Sequence, residues 1–223
     1  MKLSVIIPVF NEKHTIQEIT KRVLNVPIEK EVIIVDDFST DGTREILREM
    51  EKDYPIRVIY SDRNHGRGMA VRMGQEIVTG ELLINQDADL EYDPNDYDAL
   101  IKPIVEDEAD VVYGSRFLGN IEGMAWKNYL GNKFLTFLTN LALGSKITDL
   151  MTAYKVFKTE DIKKLRFDTE GFEFEAELTA KMVRMGCRIV DVPISYHGRG
   201  EKEGKKIGWR DAIKVMSTLK KYR

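Results

Sequence analysis

The chain has 223 residues, enough for one large domain or two small ones. Hydrophobic residues make up 43% of it, which supports a sizeable core, and charged residues make up 32% without a composition typical of disorder. The net charge of −3 argues against a general nucleic-acid-binding protein, so no nucleic-acid partner is expected. The residues after 198 are strongly basic, which predicts an anionic partner at that end of the chain.

The cysteine count, the N-terminal residues and the lengths of the apolar runs narrow the class of protein further. The single cysteine, Cys187, excludes an internal disulfide and a thiolate metal cage, and we expect it to be buried. No signal peptide is visible, and no apolar run approaches the roughly 18 residues of a membrane-spanning helix. We therefore expect a cytoplasmic protein, with any membrane contact peripheral to the cytoplasmic face.

Strand-like and helix-like segments alternate along the first 93 residues. Apolar runs predict strands at Leu3–Val9, Val32–Val35, Ile56–Tyr60 and from Leu82 onwards. Segments with apolar residues at helical spacing lie between them, which is typical of an α/β fold with a parallel sheet and right-handed crossovers. Ligands of such sheets bind outside the carboxyl ends of the strands. The polar residues that follow the predicted strands are Glu12, Asp37, Asn64, Asp87 and Asp89.

The fourth predicted strand ends in two carboxylates, Asp87 and Asp89. Positions i and i+2 of an extended chain point the same way, so both carboxylates can converge on one cation. Mg²⁺ and Mn²⁺ prefer oxygen ligands and often keep substrate phosphates in their shell. The pattern therefore predicts a metal–diphosphate site; the alternative is a polar turn before a helix at Pro94.

The glycines disfavour other nucleotide-binding classes. Gly66 and Gly68 follow the third strand, not the first, and the third glycine of the dinucleotide fingerprint is missing. The sequence has no Walker-type phosphate loop. It also lacks the glycine-rich, lysine-containing loop that nucleotidyltransferases usually have after the first strand.

Beyond the helix at Pro94, the second half of the chain is predicted to contain three helices and two strands. These are the strands Asp110–Tyr113 and Cys187–Val192 and the helices Met124–Leu143, Gly171–Met185 and Trp209–Leu219. The first helix carries a row of aromatic and apolar residues; core packing is the commoner interpretation, and a lipid interface is the alternative. Residues 195–208 are rich in glycine and lysine, which predicts a lid that closes on phosphates, or else an ordinary solvated basic loop.

Three motifs resemble, in their order along the chain, those of family 2 glycosyltransferases with the GT-A fold. They are Val5–Glu12, Val35–Thr43 and Gln86–Leu90. Three later motifs resemble the dolichol-phosphate mannose synthase branch and its polyprenyl-phosphate glycosyltransferase relatives. They are Gly114–Phe117, Asp149–Lys155 and Glu203–Trp209. The resemblance runs from Leu3 to about Trp209.

The resemblance implies one GT-A (nucleotide-diphospho-sugar transferase) domain over residues 1–223, with a Rossmann-like, mostly parallel central sheet flanked by helices. Residues 1–93 would bind the nucleotide sugar. Residues 94–223 would bind the acceptor and include the basic lid 195–208 and an amphipathic C-terminal helix. Such an enzyme would move a hexose from a GDP-mannose or UDP-glucose type donor to a polyprenyl (dolichyl) phosphate, with inversion; the alternative acceptor is a glycan or other hydroxyl.

The resemblance also assigns expected roles to individual residues. The metal, Mg²⁺ or Mn²⁺, would be held by Asp87, Asp89 and Glu91. The expected catalytic residues are Asp89, Arg116 as the ligand of the acceptor phosphate, and Asp149 as a candidate base. The nucleotide sugar would contact Pro8, Phe10, Glu12, Asp37, Asn64, Gly68, Asp87, Ala88, Arg199 and Lys205.

Four of these residues have structural alternatives. Phe10 could pack in the core, and Asp37 could cap the turn at 39–43. Glu91 could be an acid in the first turn of the following helix. Asp149 could cap a helix after it.

Overall fold

The computed structural model describes residues 1–169, 171, 173–199 and 209–222, and for 209–212 the backbone alone. The chain divides into two units, Met1–Asn95 with Val156–Arg166, and Asp96–Lys155 with Phe167–Arg223. The division after residue 95 lies close to the predicted boundary between the two halves. Residues 156–166 follow this boundary in the sequence but belong to the first unit.

The first unit alternates strands and helices along the chain. Its elements are β1 (Leu3–Val9), α1 (Ile16–Asn25), β2 (Lys30–Asp36), α2 (Thr43–Asp53), β3 (Ile56–Tyr60), α3 (Arg67–Gln75) and β4 (Leu82–Asn85), with β7 (Lys155–Lys158) and α6 (Thr159–Lys163) from the returning segment. Neither β7 nor α6 is predicted by the sequence patterns. The predicted bounds of β1 and β3 are confirmed.

The strands of the first unit lie in the order β3-β2-β1-β4-β7. β1 pairs in parallel with β2 and β4, β2 pairs in parallel with β3, and β7 is antiparallel to β4. The side chains of Val5, Ile6, Ile7, Ile33 and Ile34 have no exposed surface. A mostly parallel sheet needs such continuous apolar runs because helices cover both of its faces.

Helix α3 packs against β1 and β2, and a glycine sets how closely. A Cβ atom at Gly74 would lie only 2.7 Å from Cγ2 of Ile6, so the helix can approach the strand only without a side chain there. This packing fixes the position of the first residue of α3, Arg67.

The second unit contains the remaining elements: α4 (Tyr97–Val105), β5 (Val111–Ser115), β6 (Ile121–Glu122), α5 (Trp126–Leu143), α7 (Phe174–Arg184), β8 (Ile189–Pro193), β9 (Tyr196–His197) and α8 (Trp209–Lys221). β5 pairs in parallel with β8, and β6 with β9. Helix α8 packs against α5 and α7. Over the part of the chain that is described, no helix is both long and apolar enough to cross a membrane.

A buried carboxylate, Glu177 of α7, joins three parts of the second unit. It accepts hydrogen bonds from the backbone N–H groups of Asp168 (3.0 Å) and Thr169 (2.9 Å) and from the hydroxyl of Tyr222 (2.8 Å), and it pairs with Lys181 at 2.6 Å. Burial by itself raises the pKa of Glu177. The hydrogen bonds from Lys181, Thr169, Asp168 and Tyr222 outweigh burial and lower the pKa to about 2.

The low pKa of Glu177 predicts an acid-sensitive fold. Because the pKa in the folded protein lies below its ordinary value of 4.5, ionised Glu177 stabilises the fold above that pH. We expect this contribution to disappear as the pH falls from about 4.5 to about 2. The difference in urea unfolding between the wild type and Glu177→Gln should be largest at pH 6, smaller at pH 3 and lost near pH 2. The exposed Glu160→Gln is the control, and a constant difference across this range would contradict the assignment.

Candidate active site

The loops after β1 and β2 are joined by side-chain hydrogen bonds. Asn11, at a φ of 56°, donates its N–H to Oγ of Ser39 (2.9 Å), and its Oδ1 accepts the N–H of Thr40 (2.8 Å). Phe10 lies beside them with 47% of its surface exposed, so the core-packing alternative for this ring is wrong. Pro8 is half-buried in β1.

Glu12 stands where the β1 loop meets α1. Its N–H donates to Oγ1 of Thr43 (3.0 Å), and its Oε2 accepts the hydroxyl of Thr15 (2.8 Å). Its carbonyl accepts the N–H of Ile16 at the start of α1 (2.9 Å). Glu12 is therefore held at the carboxyl end of β1, and its role as a ligand of the nucleotide sugar stays a prediction.

Asp37 organises the loop that leads into α3. Its Oδ1 accepts the N–H of His65 (2.8 Å), its Oδ2 accepts the N–H of Gly66 (2.7 Å), and its carbonyl accepts the side-chain amide of Asn64 (3.3 Å). Gly66 has a φ of 94°, a conformation that favours glycine. Asp37 thus caps this loop and not the turn at 39–43. A carboxylate oxygen has two lone pairs, so these bonds are compatible with ribose hydroxyls as further donors.

An arginine that sequence reasoning missed supports the β2 loop. Nε of Arg44 lies 2.6 Å from Oδ2 of the fully buried Asp36, and its Nη2 donates to the carbonyl of Ser61 (2.6 Å). Its guanidinium also lies 5.3 Å from the ring centre of Phe38. Phe38 has a φ of 67°, which is strained for a bulky residue, and such strain is concentrated at functional sites.

Asp87 and Asp89 lie two and four residues after the end of β4, and both carboxylates are part-exposed while Ala88 between them is buried. Oδ1 of Asp89 accepts the N–H of Glu91 (3.1 Å). Gly68 is buried in the first turn of α3. The structure therefore brings the two predicted metal ligands to the carboxyl end of β4, in the same unit as the residues around Asp37.

These carboxylates fit a hard divalent ion. Mg²⁺ in nucleotide enzymes typically takes one or two carboxylates plus substrate phosphates and water, and Asp87 with Asp89 provides such a set. Within the described residues no cluster of three or more His, Cys, Asp or Glu side chains is suited to a metal. The structure thus does not unite Glu91 with both aspartates in a three-ligand group.

Arg67, the first residue of α3, contacts one of the proposed ligands. Its Nε and Nη2 lie 3.1 and 3.0 Å from Oδ1 of Asp87. The side chains of both residues are about a quarter exposed, at 23% and 26%. Sequence reasoning assigned Arg67 no role in the site. No local signal connects these residues, because they are 20 positions apart.

In the second unit, Arg116 and Asp149 form a buried bidentate ion pair. Nε of Arg116 donates to Oδ2 of Asp149 (2.7 Å), its Nη2 donates to Oδ1 (2.8 Å), and its backbone N–H also reaches Oδ2 (3.2 Å). Arg116 is 6% exposed and Asp149 is fully buried. Asp149 is therefore a partner of Arg116 and not a helix cap, and the pairing disfavours a role as general base.

Two further polar side chains, those of Lys155 and Asp191, hold the segment around Asp149. Nζ of the fully buried Lys155 donates to the carbonyls of Leu150 (2.8 Å) and Thr152 (3.0 Å) and pairs with Glu175. The N–H of Thr148 donates to Oδ2 of Asp191 (2.5 Å). Burial raises the pKa of Asp191 above its ordinary value, although the bonds from Thr148 oppose the shift.

The remaining predicted residues lie beyond β9 or outside the described chain. Arg199 is half-buried two residues after β9. Lys205 and most of the predicted lid lie in 200–208, outside the described residues, so the lid stays a prediction. Cys187 is partly exposed, 3.8 Å from the sulfur of Met182, so the expectation of full burial is wrong.

Helix α5 exposes the apolar row that the sequence assigned to a core. Its exposed residues are Trp126 (68%), Leu130 (48%), Phe134 (59%), Phe137 (61%) and Leu141 (71%). The buried side of the helix instead carries Asn132, Leu135, Thr136 and Thr139. The core-packing interpretation is wrong for this row, because the side of α5 that is buried against the rest of the second unit is the smaller and more polar one.

Solved structures resemble this chain over almost its whole length. Glucosyl-3-phosphoglycerate synthase from Mycobacterium tuberculosis, in complex with Mn²⁺ and UDP-glucose, superimposes with a TM-score of 0.78 over 99% of this chain and 78% of that chain, at 18% identity. The same enzyme in another crystal structure gives a TM-score of 0.77 over 99% of this chain and 80% of that chain, at 20% identity. The fold is thus the GT-A fold of nucleotide-sugar transferases.

The chain belongs to glycosyl transferase family 2, whose model matches residues 4–166. It is 29% identical to a dolichol-phosphate mannosyltransferase from Pyrococcus furiosus over 214 residues, which cover 93% of this chain and 60% of that protein. It is 28% identical to a polyprenol monophosphomannose synthase from Mycolicibacterium smegmatis, over 87% of this chain and 77% of that protein. The resemblance to the dolichol-phosphate mannose synthase branch is confirmed, and the chain spans 60% of the length of its Pyrococcus relative.

Proposed function

We propose that this protein moves a hexose from a GDP-mannose or UDP-glucose type donor to a polyprenyl phosphate, with inversion and with Mg²⁺ or Mn²⁺. The observation that carries the proposal is the pair of part-exposed carboxylates, Asp87 and Asp89, in the loop that follows β4. The names of the relatives support the acceptor class. The Mn²⁺ and UDP-glucose of the similar Mycobacterium tuberculosis structure support the metal and the donor class.

On the donor side, the residues of the first unit have suitable chemistry. Phe10 offers an exposed ring on which a base can stack. Asp37 and Glu12 are acceptors for ribose hydroxyls and base N–H groups, and Asp37 also fixes the loop that ends at Gly66. Asp87 and Asp89 would hold the metal, which when bound neutralises charge on the departing diphosphate.

On the acceptor side, the buried ion pair of Asp149 with Arg116 favours a phosphate acceptor over a hydroxyl acceptor. A phosphate monoester is already anionic at neutral pH and needs no strong base, whereas a sugar hydroxyl does. Asp149 is fully buried and bonded to Arg116 through both of its oxygens. The proposal therefore assigns the acceptor phosphate to Arg116 and makes Asp149 the residue that orients it.

The proposal is tested by a transfer assay with defined donors and acceptors. The purified protein is mixed with Mn²⁺, labelled GDP-mannose or UDP-glucose, and dolichyl phosphate in detergent. We expect labelled glycolipid from one donor only, and none after chelation of the metal. Nucleoside diphosphate release with a glycan acceptor but not with any polyprenyl phosphate would overturn it in favour of the hydroxyl acceptor.

We further propose that α5 and α8 contact an anionic lipid surface. α5 contains Lys127 and Lys133 and no acidic residue, and its exposed row begins with a tryptophan. α8, which packs against α5, exposes Ile213 beside Lys214 and Lys220. Exposed apolar and aromatic side chains flanked by lysines suit the boundary between headgroups and acyl chains, where anionic lipids add attraction.

This contact predicts weaker vesicle binding when the apolar row is charged. Phe134→Glu with Phe137→Glu should lower partitioning onto phosphatidylglycerol vesicles by at least about tenfold, because two buried phenyl groups are lost from the contact. Flotation measures the bound fraction. Val105→Glu, at an exposed apolar residue of α4, is the matched control. Equal vesicle binding by the wild type and the double variant would contradict a lipid surface. So would a wild-type dimer that becomes monomeric in the double variant but not in Val105→Glu.

A further inference from the structure

The Arg67–Asp87 contact places a permanent cation on a proposed metal ligand. A guanidinium stays protonated at every accessible pH, so Asp87 has a positive partner before any metal arrives. Both nitrogens of Arg67 that approach it are directed at the same oxygen, Oδ1. About three quarters of each side chain is nevertheless covered, so the pair is partly shielded from water.

A metal ion and Arg67 therefore compete for one carboxylate. A divalent ion on Asp87 would lie next to the guanidinium, and two cations that share an anion repel each other. The repulsion is relieved if a second anion arrives with the metal. A nucleoside diphosphate provides that anion, and a guanidinium binds phosphate oxygens in the same bidentate manner as a carboxylate.

We propose that Arg67 is a displaceable counter-ion of Asp87, which leaves the carboxylate for the diphosphate when the metal–nucleotide complex binds. The inference rests on the proposed function, because it requires a metal at Asp87. It makes metal and nucleotide binding interdependent: each ligand binds more tightly in the presence of the other, and by the same factor. Free Mn²⁺ binds weakly because its charge on Asp87 is repelled by the neighbouring guanidinium, which already contacts the same carboxylate.

The test measures the affinity for Mn²⁺ by electron paramagnetic resonance, with and without GDP or UDP, in the wild type and in Arg67→Ala. Removal of the arginine should tighten the binding of Mn²⁺ alone several-fold. It should weaken nucleotide binding in the presence of Mn²⁺, so that the coupling factor falls by about tenfold or more. Arg67→Lys keeps the charge without the planar fork and should give an intermediate factor.

Arg22→Ala is the matched control, since it removes the same charge from an exposed pair on α1 and should leave both affinities unchanged. Weaker binding of Mn²⁺ alone by Arg67→Ala, or an unchanged coupling factor in both Arg67 variants, would overturn the inference. Failure of the proposed function looks different: the wild type itself would then bind no Mn²⁺ with either nucleotide. Circular dichroism verifies that each variant is folded.

Discussion

Asp89→Asn is expected to reduce the rate of sugar transfer by about a hundredfold or more. Asparagine keeps the size of the side chain and can still accept the N–H of Glu91, but it has no charge for a divalent ion. Asp89 would act through the metal it holds, and loss of one electrostatic contact that stabilises developing charge typically costs two to three powers of ten, roughly 10²–10³ in rate. Initial rates at saturating donor, with Mn²⁺ varied, measure the effect.

Asp98→Asn is the control for this prediction. Asp98 is an exposed acid in the first turn of α4, nine positions further along the chain, so its replacement changes the net charge equally. We expect it to leave the rate and the Mn²⁺ dependence as in the wild type. A transfer rate of Asp89→Asn within about threefold of the wild type would contradict a metal role for this residue.

Asp149→Ala is expected to lower the free energy of unfolding by about 3–5 kcal/mol, the typical cost of leaving one member of a buried ion pair without its partner. Arg116 would keep a buried charge that has lost both side-chain hydrogen bonds to the carboxylate of residue 149. Urea unfolding followed by tryptophan fluorescence measures the change. The activity should also fall, since Arg116 loses the group that orients its guanidinium.

An exposed ion pair is the appropriate comparison for Asp149→Ala. Glu49→Ala removes the carboxylate of a pair on α2 in which both side chains are mostly exposed, and such pairs contribute little. The double variant Arg116→Met, Asp149→Leu should recover much of the lost stability without recovering activity. If Asp149→Ala were as stable as Glu49→Ala, the bidentate pair would not exist in solution.

Predictions from the sequence agree best with the structure where they depend only on residues that are neighbours in the chain. Leu3–Val9 and Ile56–Tyr60 are strands with the predicted bounds, because a covered parallel sheet requires continuous apolar runs. The two carboxylates at the end of β4 could likewise be anticipated, since strand direction alone places them at the edge where ligands bind.

The disagreements arise where distant residues meet. β7 begins with Lys155, an unusual residue for a buried strand, which is accommodated only because Glu175 and two carbonyls surround its ammonium group. The Arg67–Asp87 and Arg116–Asp149 pairs likewise depend on tertiary packing. On α5, helical spacing shows that one side differs from the other but cannot show which side is covered.

The return of Val156–Arg166 to the first unit affects any attempt to express the two units of this protein as separate fragments. The chain passes from one unit to the other three times, after Asn95, Lys155 and Arg166, so no single cut separates them. A fragment that stopped at residue 95 would lack β7, and β4 would become a bare sheet edge with unpaired backbone groups. Such edges recruit strands from other molecules. Separate expression of the first unit would therefore need 156–166 grafted back through a designed linker.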